Sequence, residues 1–139
     1  MIDRAEAPEA QRAPLTVLVV DDSRVMRAMI IRTLRLAGLP LGTVHEAADG
    51  LAGLGILERE PVTLALVDIN MPHLNGLDML ARLGRSATGP RVIVVSSDGS
   101  DARASQVLDM GHGFLHKPFA PEDLRDAVLR VLDTPDDDR

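Results

Sequence analysis

The sequence predicts an α/β fold, a doubly wound (βα)5 parallel sheet within a single domain. Short apolar segments alternate with amphipathic helix-like segments along most of the 139 residues, a pattern typical of βαβ units. Three of the apolar segments, at 15–20, 64–67 and 92–95, consist almost entirely of Val, Leu, Ile and Ala, as expected of parallel strands that are covered on both faces. The chain length fits one domain rather than two.

The strands are predicted at five places in the chain: 15–20, 43–47, 62–67, 91–96 and 113–117. Residues 1–14 contain Ala, Glu, Arg and Pro without an apolar periodicity, so they are expected to form a flexible N-terminal arm. Residues 134–139 are expected to form a flexible acidic tail. The predicted domain therefore comprises 15–133.

The first helix is expected to begin after Ser23, a good N-cap residue, and to end at Gly38 and Pro40. Apolar residues recur along it at helical spacing and predict a buried stripe made of Met26, Met29, Ile30 and Leu34. The second helix is expected at 50–59, although Gly53 and Gly55 each weaken it by about 1 kcal/mol relative to Ala.

The third helix is expected to begin near Asn75, and the fourth is expected to be capped by Ser100. Pro121 suits the first turn of the fifth helix, where the acidic residues Glu122 and Asp123 favour the positive end of the helix dipole. The apolar stripe of this helix consists of Leu124, Ala127, Val128, Val131 and Leu132.

The composition argues against several functions. The net charge of −6 does not favour a binder of nucleic acid or of an anionic membrane, since both need a basic surface. No cysteine is present for a disulfide or a thiolate. The N-terminal segment lacks the apolar core of a signal peptide, and no apolar run approaches the about 20 residues that span a bilayer. A cytoplasmic location is expected.

Polar residues follow the apolar runs at the ends of four predicted strands. Asp21 and Asp22 follow the first strand, Asp68 follows the third, Ser96 ends the fourth and Lys117 ends the fifth. Because ligands of open α/β sheets bind beyond the carboxyl ends of the strands, these groups are expected to converge in one pocket. Three carboxylates, a hydroxyl and an ammonium suit a divalent cation together with a phosphoryl group.

Four segments resemble those of bacterial response-regulator receiver domains of two-component systems, in order and at suitable spacing: VLVVDDSRVMR, LALVDINMPHLNGLDML, VIVVSS and GFLHKPF. The resemblance covers about residues 15–133 and implies a flavodoxin-like arrangement of the sheet. Within the family, the resemblance leads us to expect a stand-alone, CheY-like chemotaxis regulator, because only a short tail follows the predicted fifth helix.

The resemblance assigns a role to each strand-end residue. It makes Asp68 the phosphoacceptor, and it adds the main-chain carbonyl of Asn70 to Asp21, Asp22 and Asp68 as ligands of Mg²⁺. It also implies that Lys117 contacts phosphoryl oxygens and that the bond between Lys117 and Pro118 is cis. Asp68, Lys117 and Ser96 would thus form the catalytic set.

The resemblance further implies a switch made of Ser96 and Phe114. Ser96 would sense the phosphoryl group, and Phe114 would turn inward in response. Since Phe has no hydroxyl group, we expect this switch to depend on burial alone. Two departures from the family pattern concern Asp98, at a position linked to control of dephosphorylation, and the short Gly111-His112-Gly113 connection.

The chain is therefore expected to be a phosphorylation-dependent switch rather than an enzyme. A histidine kinase would donate the phosphoryl group, and a downstream protein would bind the face formed by the fourth helix, the fifth strand and the fifth helix. The chain would be a monomer or a phosphorylation-dependent dimer. Three alternatives are open: a phosphorelay intermediate that donates to a histidine phosphotransfer protein, a Mg²⁺-dependent phosphatase with an aspartyl-phosphate intermediate, and a receiver that belongs to a longer protein.

Overall fold

The computed structural model describes residues 14–69, 79, 82, 89–96 and 113–133. Its five strands form one parallel sheet in the order β2-β1-β3-β4-β5. This arrangement confirms the predicted doubly wound α/β fold. The strands are β1 (Leu15–Val20), β2 (Leu41–Ala47), β3 (Leu64–Asp68), β4 (Arg91–Ser96) and β5 (Gly113–His116).

The prediction of fully covered strands is confirmed for β1, β3 and β4, in which nearly every residue is buried. The predicted boundaries of three strands differ from the structure. β5 ends at His116, one residue before the predicted end. β2 begins two residues earlier than predicted, because Leu41 pairs with Leu15 of β1. β3 begins two residues later than predicted and includes Asp68 as its last residue, paired with Val95 of β4.

Three helices cover the described part of the sheet: α1 (Arg24–Leu36), α2 (Gly50–Arg59) and α3 (Pro121–Asp133). The helix α3 is the one predicted as the fifth. Met79 and Arg82 are helical and belong to the predicted third helix. The predicted starts of the third and fourth helices, at Asn75 and Ser100, lie outside the described residues.

The ends of α1 agree with the prediction, but one residue of its apolar stripe does not. The Ser23 hydroxyl accepts a hydrogen bond from the Met26 amide at 3.2 Å, and Gly38 follows the helix with a φ of 77°, where glycine is favoured. Ile30 and Leu34 are buried as expected. Met29 was wrongly predicted to be core: it is 56% exposed, because it lies beside rather than on the face that contacts the sheet.

The glycines of α2 have different surroundings. A Cβ atom on Gly53 would lie 3.0 Å from Val20 Cγ2 and 3.2 Å from Met79 Cε, so the absence of a side chain lets the helix approach β1 closely. A Cβ atom on Gly55 would meet only the guanidinium of Arg59. Close packing therefore offsets the low helix propensity at Gly53, and no such contact exists at Gly55.

The sheet separates two hydrophobic clusters. The larger cluster, on the face covered by α1 and α3, contains the α3 residues Leu124, Ala127, Val128 and Val131, which confirms the predicted stripe of this helix. The smaller cluster lies on the face covered by α2 and contains Met79 and, at its margin, Phe114. Alternate residues of β1 contribute to the two clusters, so both depend on that strand.

Other expectations concern residues outside the described ranges. They include the flexibility of 1–14 (apart from the exposed Pro14) and of 134–139, the metal ligand Asn70, the position Asp98 and the turn at Gly111 and His112. The domain boundaries at 15 and 133 stay predictions. In the part of the chain that is described, no helix has both the length and the apolarity needed to cross a bilayer.

The glycine environments predict opposite effects of two alanine substitutions. Gly113→Ala places a Cβ atom 2.9 Å from Val131 Cγ1 and 3.1 Å from Ile93 Cγ1, two branched core side chains, so we expect the free energy of unfolding to fall by about 1–3 kcal/mol. Gly55→Ala should raise it by about 0.5–1 kcal/mol. Urea unfolding followed by far-UV circular dichroism checks both values, and equal stabilities would contradict this account of the packing.

Candidate functional site

The candidate site lies where the strand order reverses. The chain passes from β1 to β2 on one side and then returns to β3 on the other side of β1. The loops that leave β1 and β3 therefore diverge and open a crevice at the carboxyl end of the sheet. Asp21 follows β1 directly and Asp68 ends β3, so the topology alone brings these two acids together.

Asp21 is almost completely buried and each of its polar groups has a partner. Its amide donates to the Ala47 carbonyl at 3.1 Å and its carbonyl accepts from Arg27 Nη1 at 2.7 Å. Its carboxylate accepts from the Ser23 amide at 2.9 Å and from Lys117 Nζ at 3.1 Å. Because a buried charge is stable only when it is paired and hydrogen-bonded, this set of contacts explains how a 1% exposed aspartate is tolerated.

Lys117 connects the two buried acids. It follows β5, and the peptide bond to Pro118 is cis, as the resemblance implied. Its amide donates to the Ser96 carbonyl at 2.8 Å, which extends the pairing of β5 with β4 by one residue. Its ammonium lies 3.1 Å from Asp21 Oδ2 and 3.6 Å from Asp68 Oδ2, with the side chain 14% exposed. It thus supplies a positive charge next to the predicted phosphoacceptor.

The acidic side chains of Asp21, Asp22 and Asp68 form a cluster. One carboxylate oxygen from each lies within 4.8 Å of those of the others, and Asp22 is exposed while the other two are buried. Among the described residues, three carboxylates lie around one ammonium, which gives the cluster an excess of negative charge. A cation that approaches from the solvent side, where Asp22 lies, would reduce this excess.

The donor set fits Mg²⁺. This ion prefers hard oxygen ligands at 2.0–2.1 Å, so opposite ligands of one ion are about 4.2 Å apart. The spread of 4.8 Å in the cluster is slightly wider, which suits an ion that keeps several water molecules and binds directly to only some of the carboxylates. Asp21, Asp22 and Asp68 could therefore hold the ion, while the further predicted ligand, Asn70, lies outside the described residues.

Ser96 and Phe114 lie on the neighbouring strands. Ser96 is 1% exposed at the end of β4, one residue beyond the partner of Asp68. Phe114 of β5 is half-buried against the smaller cluster. Its ring forms an edge contact with the exposed His116, with 5.1 Å between centroids and 70° between planes. Phe114 thus lies at the margin of the smaller cluster, between the core and the surface.

The sequence interpretation missed the contribution of Arg27. In addition to its bond to Asp21, Arg27 donates from Nε to Glu46 Oε1 of β2 at 2.9 Å. The sequence held one signal for this contact. Arg27 follows the N-cap Ser23 by four residues, and helical side chains point back toward the N-terminus, so a long basic residue here reaches the turn that contains Asp21.

The chain is similar to response regulators in each comparison. The family model described as the response regulator receiver domain matches residues 17–129. The chemotaxis protein CheY homolog of Campylobacter jejuni is 33% identical over 124 residues, which cover 86% of this chain and 94% of that protein. A solved CheY-like receiver domain from Methanospirillum hungatei has a TM-score of 0.73 at 28% identity, covering 87% of this chain and 95% of its own.

Many of the similar proteins are longer than this chain. The nitrate/nitrite response regulator NarL of Escherichia coli is 31% identical over 120 residues, which cover 86% of this chain and 55% of that protein. The chain thus spans about half the length of the first curated relatives that it matches.

The buried ion pairs predict that the stability of the metal-free protein depends on Lys117. Lys117→Met removes the ammonium that pairs with the buried carboxylates of Asp21 and Asp68, so we expect the free energy of unfolding to fall by about 3 kcal/mol. Arg32→Met, on the exposed face of α1, also removes one positive charge, but it should change the free energy of unfolding by less than about 0.5 kcal/mol. Urea unfolding with a chelator present measures both, and an equally stable Lys117→Met variant would refute the proposed pairing.

Proposed function

Since the chain belongs to the response regulator receiver domain family, we propose that it accepts a phosphoryl group on Asp68 from a phosphohistidine of a histidine kinase and thereby alters its binding to a partner protein. The observation that supports this most directly is the position of Lys117 Nζ, 3.6 Å from Asp68 and 3.1 Å from Asp21. An acceptor carboxylate, a fixed cation and an acidic pair are thus within contact distance of one another. In this proposal the domain promotes its own phosphorylation but has no turnover substrate.

The proposed reaction is a single displacement at phosphorus. An oxygen of the Asp68 carboxylate forms a bond to phosphorus, and the bond between phosphorus and the imidazole nitrogen breaks. The donor imidazole carries a proton on its other ring nitrogen, so it leaves with the electron pair of the broken bond as a neutral histidine side chain. Asp68 becomes an acyl phosphate. No oxidant or reductant is needed, and the main task for the protein is to position the groups and to offset negative charge.

In this proposal, the position of each neighbour of Asp68 supports a task for it. Lys117 binds a phosphoryl oxygen as a point charge, since its ammonium is already within reach of the Asp68 carboxylate. Asp21 holds Lys117 in position through its own ion pair. Asp21, Asp22 and Asp68 would hold Mg²⁺, with the carbonyl of Asn70 added on the basis of the resemblance. When bound, Mg²⁺ neutralises charge on the phosphoryl oxygens and on the carboxylates.

The proposed response to phosphorylation begins at Ser96. Its position at the end of β4, next to the strand that ends in Asp68, lets the hydroxyl donate to a phosphoryl oxygen. Movement of Ser96 would leave space for Phe114, which is half-buried, to turn inward. Such a turn would separate Phe114 from His116 and alter the surface of β5. The change would thus be transmitted by packing alone.

The proposed output surface is the face made by the predicted fourth helix, β5 and α3, of which the described residues contain β5 and α3. A role in chemotaxis is proposed from the similarity to the Campylobacter CheY homolog, whose name states that role. A kinase donor would place the chain in the cytoplasm. The comparisons favour neither the phosphorelay intermediate nor the phosphatase.

Phosphorylation is expected to require both Asp68 and Mg²⁺. On incubation with acetyl phosphate, the wild-type chain should gain the mass of a single phosphoryl group with Mg²⁺ and none when a chelator is present. Asp68→Asn should gain none, while Asp126→Asn, which changes an exposed aspartate on α3, should gain one. Intact mass spectrometry gives the result, and an adduct of the same size on Asp68→Asn would exclude Asp68 as the acceptor. Release of more than one equivalent of phosphate from a small ester would instead support a phosphatase.

The proposed switch predicts that the ring of Phe114 moves on phosphorylation without being needed for it. The chain has two phenylalanines and no tryptophan or tyrosine, so ring signals from phenylalanine labelled with ¹³C can be assigned with Phe114→Leu. We expect acetyl phosphate and Mg²⁺ to shift the Phe114 signals more than those of Phe119, and to leave both unchanged in Asp68→Asn. Phe114→Ala should gain the phosphoryl group at the wild-type rate. Unmoved Phe114 signals in the phosphorylated protein would argue against a switch at this residue.

A further inference from the structure

Arg27 contacts the acidic turn from outside the cluster of carboxylates. It lies on α1, its side chain is 14% exposed, and its guanidinium makes two directed hydrogen bonds. Nη1 donates to the carbonyl of Asp21 at 2.7 Å, and Nε donates to Glu46 Oε1 at 2.9 Å. Arg27 thus connects the turn after β1 to the edge strand β2.

The carbonyl that Arg27 binds belongs to the peptide between Asp21 and Asp22. A peptide group is planar, so fixing its carbonyl also fixes the direction of the next amide and the start of the Asp22 residue. On the other side of Asp22, the Ser23 amide is bound to Asp21 Oδ1. The two hydrogen bonds hold the backbone on both sides of Asp22.

The side chain of Asp22 has no such support of its own. It is exposed, and among the residues that the structure describes it has no hydrogen-bond or ion-pair partner. Its carboxylate nevertheless lies within the cluster of three acids. The position of the Asp22 carboxylate therefore depends on the backbone, which the hydrogen bonds from Arg27 to the Asp21 carbonyl and from the Ser23 amide to the Asp21 carboxylate keep in place.

We propose that Arg27 is a positioning residue for the divalent cation, which holds the Asp21–Asp22 peptide so that the Asp22 carboxylate faces Asp68. Glu46 orients the guanidinium for this task. Because the group is planar, the hydrogen bond from Nε to Glu46 also fixes the direction of Nη1, which donates to the Asp21 carbonyl. The proposal rests on the function proposed above, because it assumes that this cluster binds Mg²⁺.

The direction in which the Mg²⁺ affinity changes when Arg27 is replaced distinguishes a positioning role from a purely electrostatic one. A cation close to an acidic cluster repels a second cation, so loss of the Arg27 charge alone would make Mg²⁺ bind more tightly. Loss of positioning would make it bind more weakly. Groups that orient the ligands of a metal typically contribute about 10-fold or more to its affinity. The two interpretations therefore predict opposite changes.

The test compares two arginines of the same helix. Mg²⁺ is titrated into the ¹⁵N-labelled full chain without a phosphodonor, and the affinity is taken from the amide shifts of residues 21–23. We expect Arg27→Met to weaken binding about 10-fold. Arg24→Met, which removes an exposed arginine one turn earlier, should bind as tightly as wild type or slightly more tightly. Equal or tighter binding by Arg27→Met would overturn the proposal.

A second pair of variants tests the orientation by Glu46. Glu46→Gln keeps an oxygen that accepts from Arg27 Nε and should bind Mg²⁺ like the wild type. Glu46→Ala lacks that oxygen and should bind more weakly, with a shift of the Arg27 Nε–H signal. If Arg27→Met fails to fold, as judged from its amide spectrum, the two Glu46 variants test the proposal instead. Equal Mg²⁺ affinities of Glu46→Gln and Glu46→Ala would then refute it.

The outcomes also separate this proposal from the proposed function. A wild-type chain that binds no Mg²⁺ and gains no phosphoryl group would refute both. A wild-type chain that does both, together with an Arg27→Met variant of wild-type affinity, would refute the positioning role and leave the proposed function intact.

Discussion

The ion pair between Lys117 and Asp21, with Asp68 alongside, is the interaction on which the candidate site depends. Its two partners are 96 residues apart in the sequence, and both side chains are largely shielded from solvent. Charges in such a place are stable only together, because each alone would lose its hydration without compensation. In the sheet, β3 and β4 lie between β1 and β5, so this contact requires all four strands to be in place. The site therefore depends on the assembled sheet.

Much of this site could be predicted because its signals are local. An apolar run followed by an acid, a serine or a lysine identifies the end of a buried strand, and parallel strands have their carboxyl ends at one edge of the sheet. Asp21, Asp68 and Lys117 were predicted to meet for this reason, and they are within contact distance. The ends of α1 were predictable for a similar reason, since Ser23 and Gly38 act through their immediate neighbours.

The remaining features depend on contacts between distant segments. Met29 fits the helical spacing of the core residues, yet it is exposed, because the way α1 packs on the sheet decides which side of its apolar stripe is covered. The bond of Arg27 to Glu46 requires the pairing of β1 with β2, which brings residue 46 beside α1. Gly53 similarly appears unfavourable in a helix until its contact with Val20 is seen. These features follow from tertiary packing, which local patterns do not contain.

The central strand β1 has a consequence for how the molecule can unfold. It pairs with β2 and β3, it contributes alternate residues to both hydrophobic clusters, and its last residue precedes Asp21. If β1 separates from the sheet, both hydrophobic clusters lose the β1 residues that they contain, and the turn that begins at Asp21 is no longer held at the end of a strand. The candidate site and the two hydrophobic clusters thus belong to one cooperative unit. An opening that removes β1 from the sheet would therefore also release Asp21, at a free-energy cost close to that of unfolding the described core.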